Sequence, residues 1–162
     1  MADRELIDGL IATYRELNAK VRRLPEERLR RRGEGGAVRE VVTRLRDREL
    51  AVSEALKQRL TGVPMPEIFD EDEAPVIGTE SEDDSTAARI SQFGTAREAT
   101  LVRLRGVPAE EWDRAPEGGG QPIRAEARQL LDNDRRALAR IVDLLGSLSP
   151  AAGPGARKGP DR

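Results

Sequence analysis

Residues 36–49 read Gly36-Ala37-Val38-Arg39-Glu40-Val41-Val42-Thr43-Arg44-Leu45-Arg46-Asp47-Arg48-Glu49. The apolar side chains in this stretch recur at steps of three or four residues, which is the spacing of one face of an α-helix. The pattern continues through Val52 and Leu56 until Gly62 and Pro64 interrupt it. The stretch therefore predicts a long amphipathic helix over about residues 38–60.

Three other segments have the same period, and no segment has a convincing period of two. These predicted helices run from about Leu6 to Leu24, from about Ser85 to Arg105 and from about Pro122 to Gly146. Aromatic residues make up only 2% of the chain, so the core must be built from Leu, Ile, Val and Ala, which suits helix packing. The sequence predicts an all-α four-helix bundle as one domain over residues 1–148, followed by a disordered tail over residues 149–162.

A short motif occurs twice, once after the first predicted helix and once after the third. The first copy begins Leu24-Pro25-Glu26-Glu27-Arg28-Leu29, and the second begins Val107-Pro108-Ala109-Glu110-Glu111-Trp112. Each copy has a proline at the first turn of a short helix, an apolar anchor (Leu29 or Trp112) and then a glycine turn. The repeat predicts two halves, each a helix pair, related by approximate two-fold symmetry. Chance similarity between segments rich in Pro and Gly is the alternative.

A long acidic connector joins the two halves. Residues 60–88 contain no Lys or Arg, while nine Asp or Glu side chains lie between Glu67 and Asp84. A long crossover between the second and third helices is a known bundle topology. Carboxylates in such a run can bind a divalent cation, but the run lacks the glycine and the terminal glutamate of an EF-hand loop, which favours a solvated connector.

The composition excludes several kinds of chemistry. The chain contains no Cys and no His, so it has no zinc site of thiolates or imidazoles, no Ser-His-Asp or Cys-His nucleophile and no histidine base. Charged residues make up 36% of the chain, no apolar run has the length of a membrane span, and the segment 1–20 lacks the apolar region of a signal peptide. We therefore expect a cytoplasmic protein.

Charged residues also fall on the apolar faces of the predicted helices. Glu49 lies on the stripe of the second helix, Arg97 on that of the third and Asp134 on that of the fourth, while Arg44 flanks the second. Because an unpaired buried charge is very costly, these groups must pair or line a wet cavity. We expect the four to form an interior cluster of near-zero net charge. The alternative, that a long side chain reaches solvent from the edge of a stripe, is equally balanced for Arg44.

The arrangement resembles the DinB-like superfamily, which includes metal-dependent thiol S-transferases and mycothiol-dependent isomerases. The resemblance covers roughly residues 3–146 and is strongest in residues 36–49, in Phe93-Gly94-Thr95-Ala96-Arg97, at Trp112, and in Asn133-Asp134-Arg135-Arg136-Ala137-Leu138-Ala139-Arg140-Ile141. It implies a four-helix bundle with the long connection between helices two and three. Many members of the superfamily are homodimers.

In that superfamily three histidines bind a divalent metal, usually nickel or zinc. One is on helix two and the others form a His-x-x-x-His pair on helix four. The matching positions here are Arg44, Asn133 and Ala137, and since Arg is permanently cationic and Ala has no donor atom, we expect no metal and no cofactor. We expect Arg44 to supply the positive charge of the missing metal and to balance Glu49 or Asp134.

Two hypotheses on function follow from the resemblance. The first is a metal-free, non-catalytic binding or scaffold protein, whose cavity between helices two and four offers Arg44, Arg97 and Arg136 to a small anion. The second is a thiol-dependent transferase or hydrolase without the metal, in which Glu49 or Asp134 acts as the base and Tyr14 donates a proton, although packing of the Tyr14 ring in the core is an alternative role. The candidate cavity residues are Arg44, Glu49, Arg97, Asp134, Asn133 and Tyr14.

A third hypothesis is nucleic-acid binding by the basic cluster in residues 20–32. It is disfavoured because the net charge of the chain is −2, aromatic residues are scarce and no recognition motif is present. We therefore expect a small anionic ligand and a homodimer as partners, with no nucleic acid and no membrane. The face of the first helix that carries Ile7 and Ile11 is the expected dimer surface.

Overall fold

A computed structural model describes residues 2–62 and 84–148, so most of the predicted connector and the predicted tail lie outside the described residues. Five α-helices occur in these two ranges: α1 (Asp3–Val21), α2 (Glu26–Arg30), α3 (Val38–Thr61), α4 (Thr86–Arg105) and α5 (Ile123–Leu148). A 3-10 helix spans Ala109–Glu111. Neither range contains a β-strand, and the all-α prediction is confirmed.

The ends of the helices follow local sequence signals. Gly62 ends α3 with a φ of +67°, in the left-handed region that glycine tolerates best. Helix α1 ends at Val21, three residues before the predicted Leu24. Pro25 disfavours helical backbone at Leu24 itself. Helix α5 continues through Gly146, where the sequence predicted its end.

The extensive contacts between the long helices all join one half of the chain to the other. Helix α3 packs against α4 and α5, and α1 packs against α5 and α4, with α3–α4 and α1–α5 the most extensive pairs. Since α1 and α3 belong to the first half and α4 and α5 to the second, the two long helices of one half are not each other's main neighbours. We describe the two halves as interlocked, because each long helix packs mainly against the long helices of the other half.

The two copies of the repeated motif have matching structures. Pro25 (φ −59°, ψ 137°) precedes α2, and Pro108 (φ −58°, ψ 147°) precedes the 3-10 helix. The anchors Leu29 and Trp112 are both buried. Glycines with positive φ follow in both copies, before α3 and before α5. The repeat seen in the sequence is therefore also a repeat of local structure.

In the first copy, the Glu26 side chain of α2 forms hydrogen bonds with the starts of two long helices. Its Oε1 accepts a hydrogen bond from Arg39 Nη1 (2.6 Å) at the start of α3, and its Oε2 accepts one from the backbone N–H of Thr86 (2.9 Å), the first residue of α4. Thr86 Oγ1 also donates to Oε1 at 3.0 Å. A carboxylate at the N-terminus of α4 satisfies a free N–H and interacts favourably with the helix dipole.

The second copy has an equivalent junction, centred on Arg124. This residue is the second of α5, as Arg39 is the second of α3. Its Nε donates to Asp113 Oδ1 (2.7 Å), and its Nη2 lies 2.6 Å from Asp3 Oδ1 in the first turn of α1. Each copy of the motif therefore joins its own following helix to the first helix of the other half.

Buried apolar side chains form two clusters, each of which contains one anchor of the repeat. The first apolar cluster consists of Leu17, Val21, Leu29, Val38, Val41, Val42, Leu45, Ile90, Phe93, Leu138, Ile141 and Leu144. The second apolar cluster consists of Leu6, Leu10, Leu56, Leu101, Leu104, Val107, Trp112, Ile123, Ala127, Leu130 and Leu131.

The Glu26 junction predicts a pH-dependent contribution to stability. Burial raises the pKa of Glu26, but the hydrogen bonds from Arg30, Thr86 and Arg39 outweigh it and hold the pKa below its ordinary value. A carboxylate with a lowered pKa stabilises the fold above its unfolded-state pKa, and this stabilisation is lost as the pH falls through the folded-state pKa. We expect Glu26→Gln to lower the free energy of unfolding at pH 7 by about 1–2 kcal/mol, and by much less at about pH 3.

Urea denaturation of the wild type and the variant at both pH values measures this difference. Glu27→Gln is the matched control, because the side chain of Glu27 is 89% exposed and its nearest cation, on Arg31, lies 3.7 Å away. It should change stability little at either pH. An equal loss at both pH values for Glu26→Gln would show that the hydrogen bonds to this carboxylate do not depend on its charge.

Candidate functional site

Three of the four residues predicted to form an interior charged cluster do so. Arg97, Glu49 and Asp134 are 1%, 0% and 2% exposed. Arg97 Nε and Nη2 donate to the two oxygens of Glu49 at 2.9 and 2.8 Å, and Nη1 and Nη2 donate to the two oxygens of Asp134 at 2.8 and 3.1 Å. Both contacts are bidentate, the geometry of the strongest ion pairs.

The Arg97 guanidinium also binds α1, so that groups from all four long helices meet there. Its Nη1 donates to the backbone carbonyl of Leu10 (2.8 Å), and Thr13 Oγ1 donates to Asp134 Oδ2 (2.6 Å). The guanidinium carbon lies 4.8 Å from the centre of the Phe93 ring, a cation–π contact. Thr13 was not predicted, although its spacing from Leu10 and Leu17 places it on the apolar face of α1.

This polar cluster lies between the two apolar clusters. On α4, Arg97 stands one turn from Phe93 of the first apolar cluster and one turn from Leu101 of the second. Glu49 follows Arg39 by the same number of positions as Asp134 follows Arg124, so the two carboxylates occupy equivalent places in the two halves. The core is a polar layer between two apolar layers.

Arg44 is not part of this cluster, and the expectation that it replaces the charge of a metal beside Glu49 or Asp134 is wrong. Its side chain is exposed. Arg44 precedes Glu49 by five residues, which places it about 140° around the helix axis from a residue that points into the core. The expected neutral cluster is wrong for the same reason, since Arg97 faces two carboxylates and the three formal charges sum to −1.

The cluster predicts that Arg97 is the most sensitive charged position for stability. Arg97→Met leaves two buried carboxylates without a counter-charge and should lower the free energy of unfolding by about 3–5 kcal/mol. Arg97→Lys keeps the charge but loses the two forked contacts, and should fall between Met and wild type. Urea denaturation measures both.

Arg44→Met is the matched control, because Arg44 is exposed. It should change stability by less than about 1 kcal/mol. A loss below about 1 kcal/mol for Arg97→Met would contradict the role given to the guanidinium.

The three positions that the resemblance assigns to metal ligands lie together in an exposed cleft between α3 and α5. The cleft has a volume of about 310 Å³, and each helix lines it with residues at i, i+3, i+4 and i+7. The lining residues are Val41, Arg44, Leu45 and Arg48 of α3 and Asn133, Arg136, Ala137 and Arg140 of α5. We call it the arginine cleft, since four of these eight residues are arginines and none is acidic.

The arginines of this cleft have few partners of their own. Arg44, Arg48 and Arg136 form no hydrogen bond or ion pair with another residue of the described ranges, and Arg48 Nε is buried without an acceptor. Arg140 Nη2 donates to the backbone carbonyl of Gly35. Buried Val41 and Leu45 give the cleft an apolar floor. Four like charges over an apolar floor repel one another, and an anion between them would relieve that repulsion.

Sequence analysis placed Arg44, Asn133 and Arg136 at this cavity but missed Arg48 and Arg140. The sequence did contain a signal for these two arginines. Arg44 and Arg48 are four residues apart, and so are Arg136 and Arg140. Like charges at this spacing lie on one face of a helix and destabilise it. Two such pairs face one cavity here, because α3 and α5 pack against each other.

The donor set of the arginine cleft does not fit a divalent metal. Guanidinium groups repel cations, the Ala137 side chain has no donor atom, and Asn133 alone is a weak ligand. Within residues 2–62 and 84–148, no group of three or more carboxylates is placed to hold a metal ion.

The structure does not bring the other candidate residues to the cleft. Arg97, Glu49 and Asp134 are enclosed in the core, where neither carboxylate can reach a substrate. The Tyr14 ring packs 5.7 Å from the Phe93 ring and borders a separate surface cavity of about 670 Å³ along α1 and α4. The predicted bases Glu49 and Asp134 and the predicted proton donor Tyr14 therefore do not line the arginine cleft.

The predicted dimer surface is the face of α1 that carries Ile7 and Ile11. Ile7 and Ile11 are half-buried and pack against the second apolar cluster, which leaves part of each side chain for a partner. The homodimer stays a prediction. Of the helices described, none is both long enough and apolar enough to cross a membrane.

We found no family model that matches this chain and no significant similarity to a curated protein or to a solved structure.

Proposed function

We propose that this protein is a metal-free DinB-like four-helix bundle, with the long connection between α3 and α4 as its crossover, that binds a small anionic ligand in the arginine cleft and does not catalyse a reaction. The observation that carries the proposal is the lining of the cleft, with four arginines, no acidic residue and an apolar floor.

The placement of Arg44, Asn133 and Ala137 supports the resemblance. Arg44 belongs to the first half of the chain and the other two to the second, yet all three line one cavity, as the ligands of a single metal would. The substitution of all three removes the Lewis acid on which the superfamily's chemistry depends. The fold of such an enzyme would then remain as a binding protein.

The chemistry of the cleft supports an anion as ligand. Guanidinium groups form forked, charge-assisted hydrogen bonds with carboxylates and phosphates. Arg48 Nε is an unused buried donor, and a buried donor without an acceptor costs about 1–3 kcal/mol. A bound oxyanion would remove that cost, whereas a neutral apolar ligand would not.

The proposal predicts that inorganic phosphate binds and that binding depends on the cleft. Titration of the protein with phosphate, followed by ³¹P NMR at low ionic strength, should give saturable binding that weakens with added salt. Arg48→Met should weaken it about tenfold or more, because one charge-assisted hydrogen bond is lost. The variant should be at least as stable as the wild type, since it removes one of four like charges.

Arg105→Met is the matched control, because Arg105 is an exposed arginine on α4 away from the cleft. It should leave phosphate binding nearly unchanged. Equal weakening by Arg48→Met and Arg105→Met would mean that phosphate responds to overall charge, and the arginine cleft would then not be a site.

A further inference from the structure

A second cavity adjoins the arginine cleft along α5. It has a volume of about 500 Å³ and is lined by Gly33, Glu34, Gly35, Arg140, Asp143, Leu144 and Ser147. Arg140 lines both cavities. Its hydrogen bond to the Gly35 carbonyl holds the Gly33–Gly36 turn against α5 at the boundary between them. A ligand in the arginine cleft that reached past Arg140 would enter this second cavity.

The two cavities differ in charge. The arginine cleft has four cations and no acid, whereas the second cavity has two carboxylates, Glu34 and Asp143, beside Arg140. Neither carboxylate forms an ion pair with another residue of the described ranges. Leu144 adds an apolar surface and Ser147 a hydroxyl. The second cavity thus favours a cationic or hydrogen-bond-donating group, opposite to what the first favours.

The geometry of α5 sets the distance between the two kinds of group. Arg136 and Asp143 are seven residues, or two turns, apart and lie on the same side of the helix. At about 1.5 Å per residue, their Cα atoms are about 10 Å apart along the axis. A ligand that uses both cavities must separate its charges by a similar length.

We propose, on the basis of the proposed function, that the two cavities form one site for an aminoalkyl phosphate, a phosphomonoester whose ammonium group lies about 10 Å from its phosphoryl group. The phosphoryl group binds among Arg44, Arg48 and Arg136. The chain runs along Leu144, and the ammonium group binds Asp143 and Glu34.

A phosphomonoester suits the arginine cleft better than a carboxylate does. Arginines approach the cleft from both α3 and α5. A carboxylate has two oxygens in one plane, whereas a phosphoryl group has three terminal oxygens directed to different sides and close to two negative charges. It can therefore accept hydrogen bonds from both helices at once and balance more of the four positive charges.

Three probes test this inference by isothermal titration calorimetry: inorganic phosphate, hexyl phosphate and 6-aminohexyl phosphate. The last two share the same six-carbon chain and differ only at the far end. We expect 6-aminohexyl phosphate to bind the wild type about fivefold more tightly than hexyl phosphate does, the gain of one partly exposed ion pair. Asp143→Asn should remove this gain and leave the Kd of inorganic phosphate unchanged.

Asp132→Asn is the matched control, because Asp132 is an exposed aspartate of α5 that lines neither cavity. It should preserve the gain. Equal affinity of the wild type for hexyl phosphate and 6-aminohexyl phosphate, or an equal loss of the gain in both Asp→Asn variants, would overturn the inference while inorganic phosphate still binds. Absence of binding by inorganic phosphate would instead overturn the proposed function, and this inference with it.

Discussion

The Arg97 guanidinium is the contact on which the rest of the structure depends. It binds Glu49 of α3, Asp134 of α5 and the Leu10 carbonyl of α1 at once. A buried ion pair adds little net stability over well-packed apolar residues, but it is satisfied only in one arrangement of its partners. A shift of α3, α4 or α5 by one turn would leave a charge unpaired, and a shift of α1 would remove the hydrogen bonds of Leu10 and Thr13. The cluster therefore fixes the position of each of the four long helices along its axis, which apolar packing alone specifies less strictly.

The arginine cleft follows from that alignment. The turns of α3 and α5 that direct Glu49 and Asp134 inward carry Arg48 and Asn133, their immediate neighbours in sequence, towards the cleft. The pairing in the core thus sets which residues of the two helices face each other outside it. The charged cluster in the core thus positions the two helices that line the candidate site. Three of the four arginines of the site, Arg44, Arg48 and Arg136, have no partner within the described residues.

The limits of sequence analysis here are set by the range of the interactions. Helices depend on neighbours three or four residues away, so their positions and the fold class were predictable. Glu49, Arg97 and Asp134 were predictable because charge on an apolar stripe is visible locally. The prediction for Arg44 was wrong because a residue at the edge of an apolar stripe can direct a long side chain either into the core or towards solvent. The Glu26 junction was missed because its partners come from separate segments, and the interlocking of the halves because periodicity does not specify neighbours.

The interlocking of the halves has a consequence for how the chain acquires its structure. Helices α1 and α3 have their extensive contacts with α4 and α5 rather than with each other. During synthesis, the first half leaves the ribosome with both apolar stripes uncovered, and they stay uncovered until α4 and α5 have been made. Because neither pair of long helices has its extensive contacts within its own half, we expect neither half to form a stable intermediate by itself. We therefore expect the protein to fold in one late, cooperative step, with the first half exposed to aggregation and chaperone binding until then.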